Sequence, residues 1–454
     1  MFKKKIGCFA LSAALAVGML TGCGDKEKAD APGATVTQGA DATPEATPTA
    51  EATPTAEATP TAEATPTPEA TPTPEPTKAE SKYDIPDVVM QAKDIPDTAA
   101  LAFVKDMKIG WNLGNTLDAA DCTWLDNELK YESAWCGAIT TTKLIHEIKE
   151  AGFNTIRVPV SWHNHVSGED FQISEVWMNR VKEVVDMVID EGMYVILNVH
   201  HDVDAAYYYP TSEHLETSKH YLSCVWTQIA EKFADYDEHL IFETLNEPRM
   251  VGSTYEWWIN ANDESCKDAI ACINQLNQTS LDAIRATAGN NPTRYIMVPG
   301  YDASPDGALN AGFVLPEDTV ENKLIVSVHA YTPYDFALNE NGTSSFDSDN
   351  ASDVRGITSF MDQLYDKFIK NSIPVVIGEF GARAKSGNVQ DRVDFSVAYI
   401  AAARARGITC CWWDNNAFIG TGENFGLIDR APLKWRFEEI VTGLMKYAES
   451  VEGK

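Results

Sequence analysis

The sequence has little positive charge: 36 lysines and arginines stand against 67 aspartates and glutamates, a formal net charge of −31. So acidic a chain lacks the basic face that nucleic acid, an anionic membrane surface or a polyanionic substrate needs. Cysteine is sparse. Nine are present, with no CxxC spacing to suggest a zinc site or a redox pair. The apolar run from Ile6 to Met19 is too short to span a bilayer comfortably. No glycine-rich phosphate turn follows the first strand pattern, which counts against a nucleotide fold. Tryptophan, by contrast, is abundant. Eleven of them suggest a core or groove built of aromatic faces, with core the default for most.

The chain opens on an address. Met1-Phe2-Lys3-Lys4-Lys5 is a basic start, and the apolar run after it ends in Leu20-Thr21-Gly22-Cys23, which resembles a bacterial lipobox. Residues 1–22 then read as a lipoprotein signal peptide with Cys23 lipidated; the other reading is an ordinary secretory signal and a chance cysteine. Either predicts export. Cys8 leaves with the signal and Cys23 with the lipid, so seven cysteines remain, an odd number that cannot all pair within one chain. Cys122 and Cys136 share one loop and could bridge or stay as thiols. Residues 23–92 cannot offset chain entropy, because the Glu-Ala-Thr-Pro-Thr repeats from Glu45 to Pro76 carry hardly any apolar bulk. Regular proline predicts a disordered but extended linker. The folded unit is expected over 93–454.

Within that unit, short apolar runs alternate with helical patterns. Strands are predicted at 108–113, 154–158, 194–199, 240–245, 295–299, 324–329, 374–379 and 408–413, with helices over 174–191, 218–236, 263–288, 353–370, 391–406 and 434–448. Eight strand-then-helix units imply an α/β fold, a (β/α)8 barrel, with an open doubly wound sheet as the alternative. In a barrel the site lies at the carboxyl ends of the strands. Those ends here read Asn112, Arg157, His200-His201, Asn246-Glu247, Tyr301, His329 with Tyr331, Glu379 and Trp412-Trp413-Asp414.

Glu247 and Glu379 each close an apolar strand. Either alone could be a buried carboxylate paired with a cation, but two facing carboxyls are what glycoside hydrolysis requires. Glu243 shares the strand parity of Glu247 yet lies deeper, and is assigned a structural role. A metal-dependent reading of His200-His201-Asp202 is disfavoured because adjacent strand residues point to opposite faces. Tyr207-Tyr208-Tyr209 and Trp162 fall in catalytic-face loops and suit stacking or packing equally; Trp257 and Trp258 read as helix packing.

Five motifs carry a resemblance: Gly110-Trp111-Asn112-Leu113-Gly114-Asn115, Ile156-Arg157-Val158-Pro159-Val160, Thr244-Leu245-Asn246-Glu247-Pro248, Val328-His329-Ala330-Tyr331 and Ile377-Gly378-Glu379-Phe380-Gly381. Together the stretch from about Met107 to about Lys446 resembles glycoside hydrolase family five of clan A, in its bacterial endoglucanase branch. The resemblance implies a retaining endo-β-1,4-glucanase, working without a cofactor or metal on β-glucan. Related glucans, xyloglucan or mannan are the alternative substrates, and a non-catalytic glycan-binding protein the rival class. It implies Glu247 as acid/base and Glu379 as nucleophile, with Arg157 and Tyr331 bonded to Glu379 and His329 beside Glu247. Asn246, His200 and Asn112 would meet the sugar, above Trp413 as a stacking floor. A monomer is expected, tethered to the envelope at Cys23. One departure stands out: the branch often reads Trp-Trp-Asp-Asn-Gly where this chain has Trp412-Trp413-Asp414-Asn415-Asn416, which puts the local loop geometry in question.

Overall fold

The computed structural model describes residues 82–451. The expected signal peptide, the lipidated Cys23 and the proline repeats lie outside the described residues. The eight strands are β1 (Ile109–Leu113), β2 (Thr155–Val158), β3 (Tyr194–Asn198), β4 (Leu240–Glu243), β5 (Ile296–Pro299), β6 (Leu324–His329), β7 (Val375–Phe380) and β8 (Thr409–Asp414). Every neighbouring pair is parallel, and β1 meets β8 to close a barrel. Nearly every strand residue is buried, as expected of β-branched and aromatic runs covered on both faces.

One helix precedes β1, α1 (Ala99–Asp106), and, apart from the four-residue helices Tyr131–Ala134 and Tyr334–Ala337, one follows each strand: α2 (Thr142–Glu150), α3 (Glu175–Asp190), α4 (Leu215–Lys232), α5 (Glu264–Arg285), α6 (Pro305–Leu309), α7 (Ala351–Lys367), α8 (Val389–Arg404) and α9 (Glu438–Lys446). Their starts are written in the sequence. Thr98, Thr141, Asp263, Ser304 and Asn350 each accept a hydrogen bond from a backbone N–H in the first turn, the usual N-cap chemistry. The α3 face of Trp177, Val181, Val184, Val185 and Val188 then buries against the sheet at helical spacing.

Three features depart from the sequence reading. α1 was not foreseen. Its Phe103 stacks on Tyr295 at 3.8 Å and, with Val104 and Met107, joins Tyr194, Ile196, Ile241, Met297, Ile325 and Val376 in one cluster. The helix therefore stoppers the amino-terminal mouth of the barrel, bolted by Thr155 and Thr409 hydroxyls donating to Met107 O and Val104 O. Second, Lys434 does not begin a helix: Lys434–Trp435 pairs antiparallel with Ile428–Asp429, and α9 starts at Glu438. Third, the folded unit starts earlier than 93. Tyr447 Oη bonds both N and O of Val88, Lys446 reaches Ile85 O and Pro86 O, and Val88 is buried. Residues 82–92 are a strap packed on the last helix.

Candidate active site

The rim is built by strands that stop at polar residues. Beyond β4, Thr244 is pinned by Asn277 and by Trp226, whose indole donates to its carbonyl. Asn246 N–H donates to Val199 O, after which Glu247 and Pro248 leave the sheet. On β7 the register with β6 shifts so that His329 pairs Glu379 with Gly378 left over, a bulge that re-aims the carboxylate. A Cβ at Gly378 would stand 3.2 Å from His329 Nε2 and 3.4 Å from Arg157 Nε, tighter than such contacts run.

Arg157 is the hub. Fully buried, it donates from Nε to Glu243 at 2.8 Å, from Nη1 to Glu379 at 2.7 Å and to Asn112 Oδ1 at 3.0 Å, and from Nη2 to Asn246 Oδ1 at 2.7 Å. Glu243 also accepts from Ser327 and Asn198. Burial alone would raise the Glu243 carboxyl, but the Arg157 charge and the His329 and Ser327 contacts outweigh it and hold it at about 2. Its assignment as a structural carboxylate matches this geometry.

Glu379 accepts from Arg157 on Oε1 and from Tyr331 Oη at 2.8 Å on Oε2. Across the mouth, His329 Nδ1 lies 2.9 Å from Glu247 Oε1 and 3.6 Å from Glu379 Oε1. One oxygen of each glutamate and the imidazole lie within 4.8 Å of one another. Burial opposes the imidazolium, yet Glu379, Glu243 and Glu247 together raise His329 to about 9. Glu247 is correspondingly low. Burial pushes it up, but the His329 hydrogen bond and charge, with Arg249 3.5 Å away, hold it at about 2. Without sugar, the site therefore favours an ionised Glu247 beside a protonated imidazole.

His200 and Trp413 lie parallel, 5.9 Å apart with 3° between planes, so floor and lining residue are brought together as expected. Asn112 is not. It is fully buried, donating from Nδ2 to Gly378 O at 2.8 Å, and braces Arg157 and the β7 bulge instead of facing a sugar. The argument from strand alternation also fails at His200 and His201, because β3 ends at Asn198; the two rings lie 4.4 Å apart, edge to face, and with Asp118 their ligand atoms cluster within 4.8 Å. The tautomer decides what His200 offers. Asn198 Oδ1 accepts Val160 N–H, so its Nδ2 donates to His200 Nδ1, leaving the proton on Nε2. That nitrogen is a hydrogen-bond donor, not a metal ligand. The other closely spaced pair, His163 and His165, diverges: His165 stacks on Trp177 at 3.7 Å while His163 faces Asp121 and Asp202.

Trp162 and Tyr208 are wholly buried and therefore packing. Trp257 and Trp258 are the reverse of what was expected, 59% and 53% exposed in the loop before α5. Cys122 and Cys136 are separate thiols. The sequence reading missed Asn198 and Arg249. Asn198 could have been found as the polar residue that ends the apolar run of β3. Asn416 resolves the loop in question: it takes φ +58°, a left-handed conformation that asparagine tolerates where glycine is usual, and bonds Cys136 O.

Residues 117–419 match the cellulase family, glycosyl hydrolase family 5. The chain belongs to that family. Among family members, the cellulase/esterase CelE of Acetivibrio thermocellus is 44% identical across 78% of this chain, which spans only 41% of that longer protein. Endoglucanase 1 of Ruminococcus albus is 42% identical over 78% of this chain and 82% of its own length. In three dimensions the chain is similar to a family 5 lichenase of Caldicellulosiruptor sp. F32 solved with cellotetraose, with 55% identity, a TM-score of 0.80, and 80% and 99% of the two chains covered.

Proposed function

We propose that this family 5 chain is a retaining endo-β-1,4-glucanase acting on β-glucan. One observation carries the reading: the Glu247 and Glu379 oxygens come within 4.8 Å of each other from opposite sides of one mouth. Retaining pairs stand about 5–5.5 Å apart, whereas inverting pairs need about 6.5–9.5 Å to admit a water. Glu379, oriented by Arg157 and Tyr331, attacks the anomeric carbon as that carbon's bond to the leaving oxygen breaks. Glu247 protonates that oxygen. The proton is held by the His329–Glu247 pair, and sugar displacing water from Glu247 favours its transfer to the carboxyl. Water then attacks the glycosyl-enzyme, its proton returns to Glu247, and the β-configuration is kept. Asn246, anchored by Arg157 through Oδ1, turns its Nδ2 to a sugar hydroxyl, a bond that tightens in the transition state. Cellotetraose on the similar lichenase supports a β-glucan substrate. NMR of the first product tests the proposal: β-anomer is expected, and initial α-anomer sinks it. A panel of mixed-linkage glucan, xyloglucan and mannan ranks the finer substrate preference.

We propose as well that the protein is exported and held to the envelope by lipid on Cys23, on the strength of Leu20-Thr21-Gly22-Cys23. Cys23→Ser should appear in the medium; retention after a salt wash would defeat the idea.

A further inference from the structure

Where α8 packs against β8 and α9, two guanidiniums are buried around one carboxylate. Arg392 on α8 and Asp414 at the end of β8 are fully buried, and Arg430, between the two strands of the hairpin, is nearly so. The lone pairs of Asp414 are taken. Its Oδ2 accepts Leu427 N–H and Ile428 N–H, and its Oδ1 accepts Asn416 N–H and Arg430 Nη2. None is left for Arg392.

Arg392 is the anomaly. Its Nε donates to Ala382 O at 2.9 Å, but nothing among the described residues accepts from Nη1 or Nη2. Its guanidinium lies 4.6 Å from the Phe437 ring and 5.9 Å from the Trp412 ring, contacts that steady the charge but offer the N–H groups no lone pair. One turn along α8, Ser396 is just as buried, and its hydroxyl has no partner among the described residues either. Residues four apart share a helix face, with Cβ atoms about 5–6 Å from each other, so guanidinium and hydroxyl can meet one ligand. Burial pushes Arg392 down to about 9, and the Asp414 and Glu439 charges, which favour the cation, do not offset it. Buried donors left unmatched in this number mark a group kept for something other than the packing around it.

We propose that Arg392 and Ser396 hold a buried monoatomic anion of the halide class, such as chloride. The donors set the sign of the ligand. Nη1 and Nη2 carry four N–H groups and the Ser396 hydroxyl adds a fifth donor, with no carboxylate free among them. The closure sets its size. Arg392, Ser396 and Trp412 are all fully buried, which shuts out a phosphate or an organic acid, while a halide needs no fixed geometry and can enter by local opening of the hairpin. Charge decides between halide and water. Water would satisfy the N–H groups yet leave two buried cations to one carboxylate, and an anion balances them. Bound there, it neutralises the face of α8 that meets β8, and the fold gains stability as halide rises.

Two measurements on the whole protein test the site. Crystals soaked in sodium bromide are measured at the bromine edge, and an anomalous peak is expected in contact with Arg392 Nη1 or Nη2 and Ser396 Oγ. No peak there, or a density without anomalous signal, overturns the proposal. Thermal unfolding is then followed as chloride replaces gluconate at fixed ionic strength, from about 1 to about 100 mM, and the wild-type melting temperature should rise by about 3 °C. Arg392→Met removes the cation and should not respond to chloride. Should that variant fail to fold, Ser396→Ala keeps the guanidinium and loses one donor, so it should need about tenfold more chloride for the same rise. A wild-type melting temperature indifferent to chloride reduces even a bromide peak to an adventitious ion only, and the proposal falls. A rise that the variants share unchanged with wild type overturns the assignment to these two residues.

Discussion

At the scale of single residues, the two glutamates differ in partners and so should fail differently when removed. Glu247→Ala keeps Glu379 with Arg157 and Tyr331, so an activated aryl glycoside should still glycosylate it, and azide should restore turnover as β-glycosyl azide. Glu379→Ala removes the attacking oxygen, so azide can give only the α-product; β-azide from that variant would refute the roles. His329 makes a different prediction. Its folded pKa of about 9 lies above the unfolded value of 6.5, so its stabilisation is complete below pH 6.5 and is lost as pH rises through 9. Wild type should therefore out-melt His329→Gln most near pH 6, with the advantage shrinking by about 3 kcal/mol by pH 9.5. An advantage that grows with pH would show the imidazole to be neutral in the fold. The resting state of Glu247 was not legible in the sequence, because it depends on His329 and Arg249 arriving from other segments to outweigh burial.

At the scale of elements, the strand ends were legible and the joints between them were not. A strand buried on both faces reads as an apolar run, and its first polar residue marks the rim; that logic located Arg157, Glu247, His329 and Glu379. It misplaced Asn112, since a polar residue inside the barrel can serve backbone carbonyls as well as a sugar. The second strand of the hairpin, Lys434–Trp435, was read as the start of a helix because nothing local reports what fixes the hairpin, the buried Asp414. That carboxylate accepts Leu427 N–H at 2.7 Å while Arg430 ties it to Gly114 O and Thr116. Arg430→Met should cost about 3–5 kcal/mol in chemical denaturation, because it strands Asp414 without its cation in the core. A loss under 1 kcal/mol would mean that water reaches the site. Trp413 immediately precedes Asp414 on β8, so catalysis should fall with stability.

At the scale of the whole molecule, the strap of residues 82–92 belongs to the barrel, and its Tyr83, Ile85, Val88 and Met90 set it apart from the repeats before it. Its hold on Tyr447 and Lys446 is through backbone atoms, which composition does not disclose. A chain beginning at Lys82 should unfold at a higher temperature than one beginning at Asp94, with equal turnover on soluble glucan at 25 °C. Equal melting temperatures would show the strap to be inert. The α1 stopper has a different kind of consequence. With Phe103 and its neighbours filling the amino-terminal mouth, the barrel has no exit, and a polymer cannot thread it. Glucan must instead lie across the open rim like a rope over a pulley, entering anywhere along its length and leaving by both sides. A polysaccharide so held is cut wherever it happens to settle, and its viscosity should collapse long before its reducing ends accumulate.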